Sequence, residues 1–170
     1  MLITQTIRPQ DRRLGLNDLP ERVTGLAATS PVHRMEGEDT AAALLHYAGG
    51  AIGVVQATTA AYPGFPERIE INGTLGTATL ESGELQVIFA SGKRLALGAR
   101  QGSGGGADPM AFSHAAHRTV LQDFIRAVHA GRTPAVSGRS ALGVQQVIES
   151  IMQSSRAGCA ISLPRAPLPG

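Results

Sequence analysis

The chain has little of several residue types, and each scarcity narrows what it can be. Cys159 is the single cysteine of 170 residues, so an internal disulfide is excluded and a reducing, cytoplasmic location is expected. Tryptophan is absent and aromatic residues make up 4% of the chain. Because base-stacking aromatics beside basic residues are missing and the net charge is only +2, nucleic acid is not an expected partner.

Long apolar runs are also missing. No stretch reaches the length of a membrane span, and the first ten residues lack the apolar segment of a signal peptide, so we expect no membrane partner. Hydrophobic residues make up 42% of the chain, which suffices for one domain whose core consists mainly of Ala, Val, Leu and Ile. The 21 glycines suit tight turns between short strands.

Short strand-like stretches dominate the first two thirds of the chain. The first is Glu21–Ser30, and Asp39–Ala48 and Ala51–Ala60 follow, separated by the glycine pair 49–50, a two-residue link typical of a hairpin. Alternation is clearest over residues 67–72, and it resumes over 77–81 and 85–89. Successive hairpins of this kind predict a mostly antiparallel sheet.

Two helices are predicted after a glycine-rich stretch at residues 101–109. Their apolar stripes have helical spacing, namely Val120, Leu121, Phe124, Ile125 and Val128 in the first, and Val144, Val147, Ile148 and Ile151 in the second. Gly131 is a natural stop for the first helix, and Phe124, in the middle of its stripe, is predicted to be fully buried. A last short strand is expected at Ala160–Leu163.

These elements predict an α+β fold in which an open, mostly antiparallel sheet carries two C-terminal helices packed on one face. Residues 1–20 are interpreted as an N-terminal arm or remnant, 21–164 as the folded domain and 165–170 as a tail. The other sheet face is expected to mediate self-association through mixed residues such as Arg68, Glu70, Thr77 and Thr79.

Three phrases in their order and spacing resemble the C-terminal domain of the Gfo/Idh/MocA oxidoreductase family. They are EDTAAALLHYAGGAIGVVQATTAAYPGFPERIEINGTLGTATLE, HRTVLQDFIRAVHAGRTPAVSGRSALGVQQVIESI and SSRAGCAISLP. The resemblance implies that whole relatives bind NAD or NADP on a separate Rossmann domain and act on a sugar, polyol or related compound. It also implies that the sheet face opposite the helices packs against a second subunit, which makes a homo-oligomer the expected state.

The chain lacks the motifs that bind the cofactor and carry out catalysis in the family. No strand–glycine turn–helix unit precedes Glu21, and the family's Lys-Pro motif has no counterpart because Lys93 is followed by Arg94. The family's Asp-x-x-x-His pattern is not matched either, since residues 1–20 contain Asp11 and Asp18 but no histidine. No catalytic, cofactor-binding or metal-binding residue is therefore assigned, and the chain is expected to lack a cofactor and to be truncated and inactive alone.

Gly102–Ala107 formally matches the dinucleotide pattern G-x-G-x-x-A, but Asp108-Pro109 follows at once and no βαβ unit surrounds it. It is interpreted as a flexible loop. Glu36, Glu38 and Asp39 form an acidic cluster that is interpreted as a solvated turn, and Cys159 as an inert small hydrophobe.

Five residues are candidates for contact with a substrate or a partner subunit. Tyr62, Phe65 and Arg68 lie around two prolines and a glycine, which predict a fixed loop. These side chains either meet a ligand or partner, or belong to a rigid connector held by aromatic packing. His114 and His117 are three residues apart at a helix start, a spacing that suits two ligands on one face. The alternative is a surface or packing pair, because no further ligand follows at the required spacing.

The main functional hypothesis is thus the substrate-side and dimerisation domain of an NAD(P)-dependent oxidoreductase. Two alternatives remain open at this point. One is a non-enzymatic, self-associating partner of a separately encoded Rossmann protein, and the other is a stand-alone domain that binds a small ligand.

Overall fold

A computed structural model describes residues 19–62, 64–99 and 114–164 of the chain. The chain divides into two compact units, residues 1–60 with 114–170 and residues 61–113. The elements in order are β1 (Arg22–Ala28), β2 (Thr40–His46), β3 (Ile52–Thr58), β4 (Arg68–Gly73), β5 (Gly76–Glu81), β6 (Glu84–Phe89), β7 (Arg94–Leu97), α1 (Ala115–Ala130), α2 (Gly138–Ala157) and β8 (Ile161–Ser162).

The predicted α+β class with antiparallel strands is confirmed. Every strand pair in the described residues is antiparallel. The strands form two four-stranded sheets, in the orders β3-β2-β1-β8 and β4-β5-β6-β7. No helix within the described ranges is both long and apolar enough to cross a membrane.

The first sheet carries the core of its unit on one face. Period-two alternation places apolar side chains of β1, β2 and β3 on the same side, where they meet the apolar stripe of α2. The buried cluster consists of Val23, Ala43, Leu45, Val55, Val147, Ile151 and Leu163. The predicted stripe of the second helix is thereby confirmed as core at Val147 and Ile151, neither of which is exposed.

Helix α2 lies unusually close to β1 because a glycine and two serines permit it. A Cβ atom at Gly25 would stand 2.8 Å from Cγ2 of Ile151.

The short β8 pairs only with Arg22 and Val23, which leaves the rest of the β1 edge uncovered. The Ser154 hydroxyl accepts a hydrogen bond from the Gly25 N–H at 2.9 Å, and the Ser155 hydroxyl accepts one from the Ala27 N–H at 2.9 Å. Side chains of the helix thus satisfy the backbone donors that no neighbouring strand reaches.

Helix α1 ends where the sequence predicts, but its stripe does not lie in the core. Gly131 adopts φ 61° and donates its N–H to the carbonyls of Ala127 and Val128, a left-handed helix cap. The prediction that Phe124 is fully buried is wrong, because the residue is 53% exposed. Helical spacing identifies an apolar face but not what covers it, and in this unit α2 packs on β1 and β8.

The second unit is an antiparallel meander with one polar and one apolar face. The predicted alternation is confirmed, since Ile69 pairs with Leu80 and Ile71 with Ala78. Ser82 and Gly83 both have positive φ, 52° and 83°, which matches the type I′ turn of a two-residue hairpin. The association residues expected from the sequence, Arg68, Glu70, Thr77 and Thr79, lie on β4 and β5 of this sheet. The expectation that they form the second face of the sheet that the helices cover is wrong, because α2 packs on β1 and β8 of the other sheet.

Candidate functional site: an open sheet face and a buried carboxylate

The first sheet has a second face, opposite α2, that is apolar and exposed. We call it the open face, and its residues are Thr24, Leu26, Ala42, Leu44, Ile52 and Val54. Alternation along the strands puts these side chains on the side away from the core. Val54 is 73% exposed, Ile52 69% and Leu26 66%. Contiguous exposed apolar side chains of this kind mark interaction surfaces.

Strand register makes the open face continuous. Thr24 pairs with Leu44, and Leu44 pairs with Val54, so the three side chains form a row across three strands. A shallow depression of about 250 Å³ follows this row and is lined by Thr24, Gly25, Leu26, Ala42, Ala43, Leu44 and Val54. The surface is a flat apolar strip with little relief, which suits another protein surface better than an enclosed small molecule.

A buried carboxylate holds the connection between β1 and β2. The Asp39 side chain has no exposed surface. It accepts hydrogen bonds from the Ser30 N–H and the Ser30 hydroxyl, both at 2.7 Å. Nδ1 of His33 lies 2.9 Å from its second oxygen. The interpretation of Asp39 as part of a solvated turn is therefore wrong, because a loop that folds back supplies donors that sequence spacing does not reveal.

These donors favour the charged form of Asp39. The Ser30 hydroxyl and then the Ser30 amide lower the pKa of this carboxyl from 3.8 to about 2, with a further contribution from His33. Glu36 and Glu38, the other members of the acidic cluster, are exposed, as the solvated-turn interpretation predicts.

Low pH should weaken the hydrogen bonds that Asp39 accepts from the loop between β1 and β2. Because the pKa of Asp39 is lower in the folded chain, its contribution to stability is full above about pH 3.8 and is lost as the pH falls towards 2. We expect Asp39→Asn to reduce the loss of unfolding free energy between pH 5 and pH 2, measured by urea denaturation. Glu36→Gln, in the same loop, is the control and should keep the wild-type loss. An Asp39→Asn variant with the wild-type loss would contradict the assignment.

The proline loop candidates are exposed or already paired. Tyr62 is 93% exposed and Phe65 77%, so the alternative of aromatic packing is not what the structure shows. Nη2 of Arg68 donates to Glu70 at 2.5 Å, and Nδ2 of Asn72 donates to the same carboxylate at 3.0 Å. The Asn72 amide and Arg68 lower the pKa of Glu70. Arg68 therefore belongs to a polar network on the surface of the second unit.

The two candidate histidines are not brought together as ligands. Nε2 of His114 lies 2.5 Å from Nη2 of Arg118, one helical turn along α1. His117 is exposed in the first turn. No group of three or more His, Cys, Asp or Glu side chains suited to a metal ion occurs in the described residues. The glycine pattern 102–107 and Asp11 and Asp18 lie outside them.

The sequence matches the model of a known protein family. The model of the oxidoreductase family C-terminal alpha/beta domain, Gfo/Idh/MocA type, matches residues 14–163. The chain belongs to the Gfo/Idh/MocA oxidoreductase family. The matched part is thus a C-terminal domain, as the resemblance implied. Comparison with curated proteins finds no match.

Solved structures share the fold at low sequence identity. An oxidoreductase from Agrobacterium radiobacter in complex with NAD+, L-tartaric acid and magnesium is 24% identical with a TM-score of 0.69, over 86% of this chain and 44% of that one. A levoglucosan dehydrogenase bound to NADH is 20% identical with a TM-score of 0.68, over 86% and 45%. Aldose-aldose oxidoreductase from Caulobacter crescentus, complexed with glycerol, is 19% identical with a TM-score of 0.66, over 87% and 43%.

The chain spans less than half the length of these neighbours. The expectation that full-length relatives use a nicotinamide cofactor is confirmed by the NAD+ and NADH that two of them hold. Self-association, the substrate and the candidate residues are not tested by these comparisons, so they stay predictions.

Proposed function

We propose that the chain is the self-associating, substrate-side half of an NAD(P)-dependent oxidoreductase that acts on a sugar, polyol or related compound. The family match over residues 14–163 supports the oxidoreductase part of this proposal. The observation that carries the self-association is the open face. Four large apolar side chains, Leu26, Leu44, Ile52 and Val54, are at least 44% exposed on one side of one sheet. Removing such a surface from water is favourable by about 25 cal/mol per Å² of apolar area.

A second copy of the chain is the proposed occupant of the open face. A two-fold axis lets the same flat strip meet itself, so that Val54 and Leu44 of each copy pack against the other. A stable interface of this type buries on the order of 1,200 Å² or more in total. The strip spans three adjacent strands, and the antiparallel register keeps its side chains on one plane.

A charge in the open face tests this proposal. We expect Val54→Lys to weaken self-association at least about 100-fold, because apposed lysines across a two-fold axis cost several kcal/mol. Sedimentation velocity at tens of micromolar should show dimers for the wild type and monomers for the variant. Since Val54 is 73% exposed, the variant should fold normally, which circular dichroism checks.

Leu121→Lys is the matched control. Leu121 is an exposed apolar residue, 62% accessible, on α1 and outside the open face. It should leave the dimer intact. A monomeric wild type would contradict the proposal, and equal dissociation by both variants would move the interface away from the open face.

We further propose that the nicotinamide is bound outside this chain. Hydride transfer requires a nicotinamide held against the substrate, and two neighbours that hold this cofactor are more than twice as long as the matched region. The Lys-Pro motif is absent from the sequence as well, because Arg94 follows Lys93.

Cofactor titration tests this division of labour. We expect calorimetry to detect no binding of NAD(H) or NADP(H) to the isolated chain. Micromolar affinity for either would contradict it and would direct attention to the glycine pattern at residues 102–107. This outcome is independent of the sedimentation experiment, so the cofactor and association proposals fail separately.

A further inference from the structure

The edge strand β3 lacks the features that usually keep a sheet edge from pairing with another chain. It stands last in the strand order β3-β2-β1-β8 of the first sheet. Its seven residues, Ile52–Thr58, include no charged residue and no proline. Natural edge strands are commonly protected by charges, prolines, bulges or short length. An edge without these features is a template for a further extended strand.

The other edges of the described sheets are protected. β4 carries Arg68 and Glu70, and β7 has only four residues, of which Arg94 is charged. At the opposite edge of the first sheet, β8 has two residues, and hydroxyls of α2 accept hydrogen bonds from N–H groups of β1. β3 is therefore the described edge that is most open to pairing.

The hydrogen bonds of the β2–β3 hairpin show which backbone groups of β3 point outward. The Tyr47 N–H donates to the Ala51 carbonyl at 3.1 Å, and the Thr59 N–H donates to the Asp39 carbonyl at 2.9 Å. Both pairs continue the β2–β3 register. Because hydrogen-bonded and non-hydrogen-bonded pairs alternate along an antiparallel ladder, the odd-numbered residues of β3 bond to β2 and the even-numbered ones face away. The even-numbered residues are Ile52, Val54, Gln56 and Thr58.

These outward backbone groups have no partner in the described part of the chain. β3 pairs with β2 alone, and the backbone hydrogen bonds outside the regular ladders do not involve the N–H or C=O groups of the even-numbered residues. Ile52 is 69% exposed and Val54 73%, so solvent reaches this part of the strand. Such a row of unpaired groups is what an added strand bonds to.

We propose that β3 pairs antiparallel with β3 of a second copy of the chain, across a two-fold axis at Val55. This register sets Val54 opposite Gln56 of the other copy and Ile52 opposite Thr58, and it forms about eight backbone hydrogen bonds. Because opposite residues lie on the same face, the open faces of the two copies join into one surface.

Two observations favour a second copy as the occupant. The register about Val55 is self-complementary, and an uncharged strand meets no like charge when it pairs with itself. Pairing also extends the open face, which is the surface proposed above for self-association, since Ile52 and Val54 belong to both.

The contact is short, so it is expected to be weak. The seven residues of β3 span about 24 Å at roughly 3.4 Å each. One strand edge buries less than the roughly 1,200 Å² of a stable interface, and we expect a Kd on the order of 0.1 mM. Edge pairing therefore joins the open-face dimers only at high concentration.

Amide hydrogen exchange of the full chain, read by NMR at about 20 µM and about 1 mM, tests the pairing. The amides of Ile52, Val54 and Gln56 should exchange at least about threefold more slowly at the higher concentration, as mass action with a Kd of about 0.1 mM requires. Exchange of the odd-numbered β3 amides, which bond to β2, should not depend on concentration. Sedimentation should show larger assemblies at the higher concentration.

Two variants of Gln56 make the test specific to the backbone. Gln56→Pro removes one outward N–H and places the proline ring where the second strand binds, a position at which edge strands tolerate proline. Exchange at Ile52 and Val54 should then be equally fast at both concentrations. Gln56→Ala removes the same side chain but retains the N–H, so the concentration dependence should remain. The odd-numbered amides report whether the proline variant keeps the hairpin, and wild-type exchange alone decides the proposal if it does not.

Three results would overturn edge pairing. Fast exchange of the outward amides at both concentrations would show a free edge, and slow exchange already at the lower concentration would mean that the chain covers its own edge. Equal losses in the alanine and proline variants would assign the contact to the Gln56 side chain. Failure of the open-face proposal is distinguishable, because it changes the low-concentration dimer into a monomer without changing which amides slow.

Discussion

Replacing Ile151 with alanine is expected to lower the free energy of unfolding by about 2–5 kcal/mol. Ile151 has no exposed surface and belongs to the cluster that joins α2 to the first sheet, together with Val23 and Val147. Truncation removes buried carbon atoms and leaves a cavity that strands held by backbone hydrogen bonds collapse only partly to fill. Urea denaturation followed by circular dichroism measures the change.

Phe124→Ala is the informative comparison. The side chain is larger, but it is 53% exposed, so its truncation should cost at least about 1 kcal/mol less than that of Ile151. Both melts are run at low micromolar concentration, where association contributes little. If Phe124→Ala is the more destabilising change there, the stripe of α1 is buried in solution and the assignment of the core to α2 alone is wrong.

Gly25→Ala is expected to destabilise the fold by about 1–3 kcal/mol. In most strands the same change is stabilising, because glycine is the less favourable of the two residues there. The added methyl would stand 2.8 Å from Cγ2 of Ile151 and 3.1 Å from its Cα and carbonyl oxygen. Because two of these atoms belong to the helix backbone, α2 has to move away from β1. That movement also lengthens the hydrogen bond from the Gly25 N–H to the Ser154 hydroxyl.

Gly49→Ala is the matched control for this change. A Cβ atom at Gly49, in the turn between β2 and β3, meets nothing within 4 Å. Its replacement should alter the unfolding free energy by no more than about 0.5 kcal/mol, as is usual for an unconstrained surface position. Equal effects of the two substitutions in thermal or urea melts would show that close packing of α2 on β1 is not what limits residue 25.

Local pattern was enough to locate most of the strands. The stretches expected at residues 21–30, 39–48 and 51–60 contain β1, β2 and β3, and the alternation at 67–72 covers all but the last residue of β4. The two-residue period of a strand and the glycine requirement of a turn involve only a few neighbouring residues, so both can be predicted from local sequence. The stop at Gly131 is of the same kind, because the left-handed cap depends on one residue.

The candidate sites were less accessible to sequence reasoning. Asp39 has its donors at Ser30 and His33, nine and six residues earlier, and only the folded loop brings them to the carboxylate. The row of Thr24, Leu44 and Val54 on the open face joins residues that are up to 30 positions apart. Strand pairing creates such neighbours, and pairing partners are not specified by the local alternation of either strand.

By itself, then, the sequence determined the class of the fold, the faces of its strands and helices, and the family to which the chain belongs. The tertiary structure alone decided which apolar faces are covered. Phe124 and Ile151 both belong to apolar stripes of helical spacing, yet the first is exposed and the second is buried. The absence of a side chain at Gly25 lets α2 approach β1. The hydroxyls of Ser154 and Ser155 then accept hydrogen bonds from the unpaired N–H groups at the β1 edge. Which apolar face is buried depends on contacts between segments more than 120 residues apart. Amphipathic periodicity shows only that one face of a helix is apolar, not what covers it.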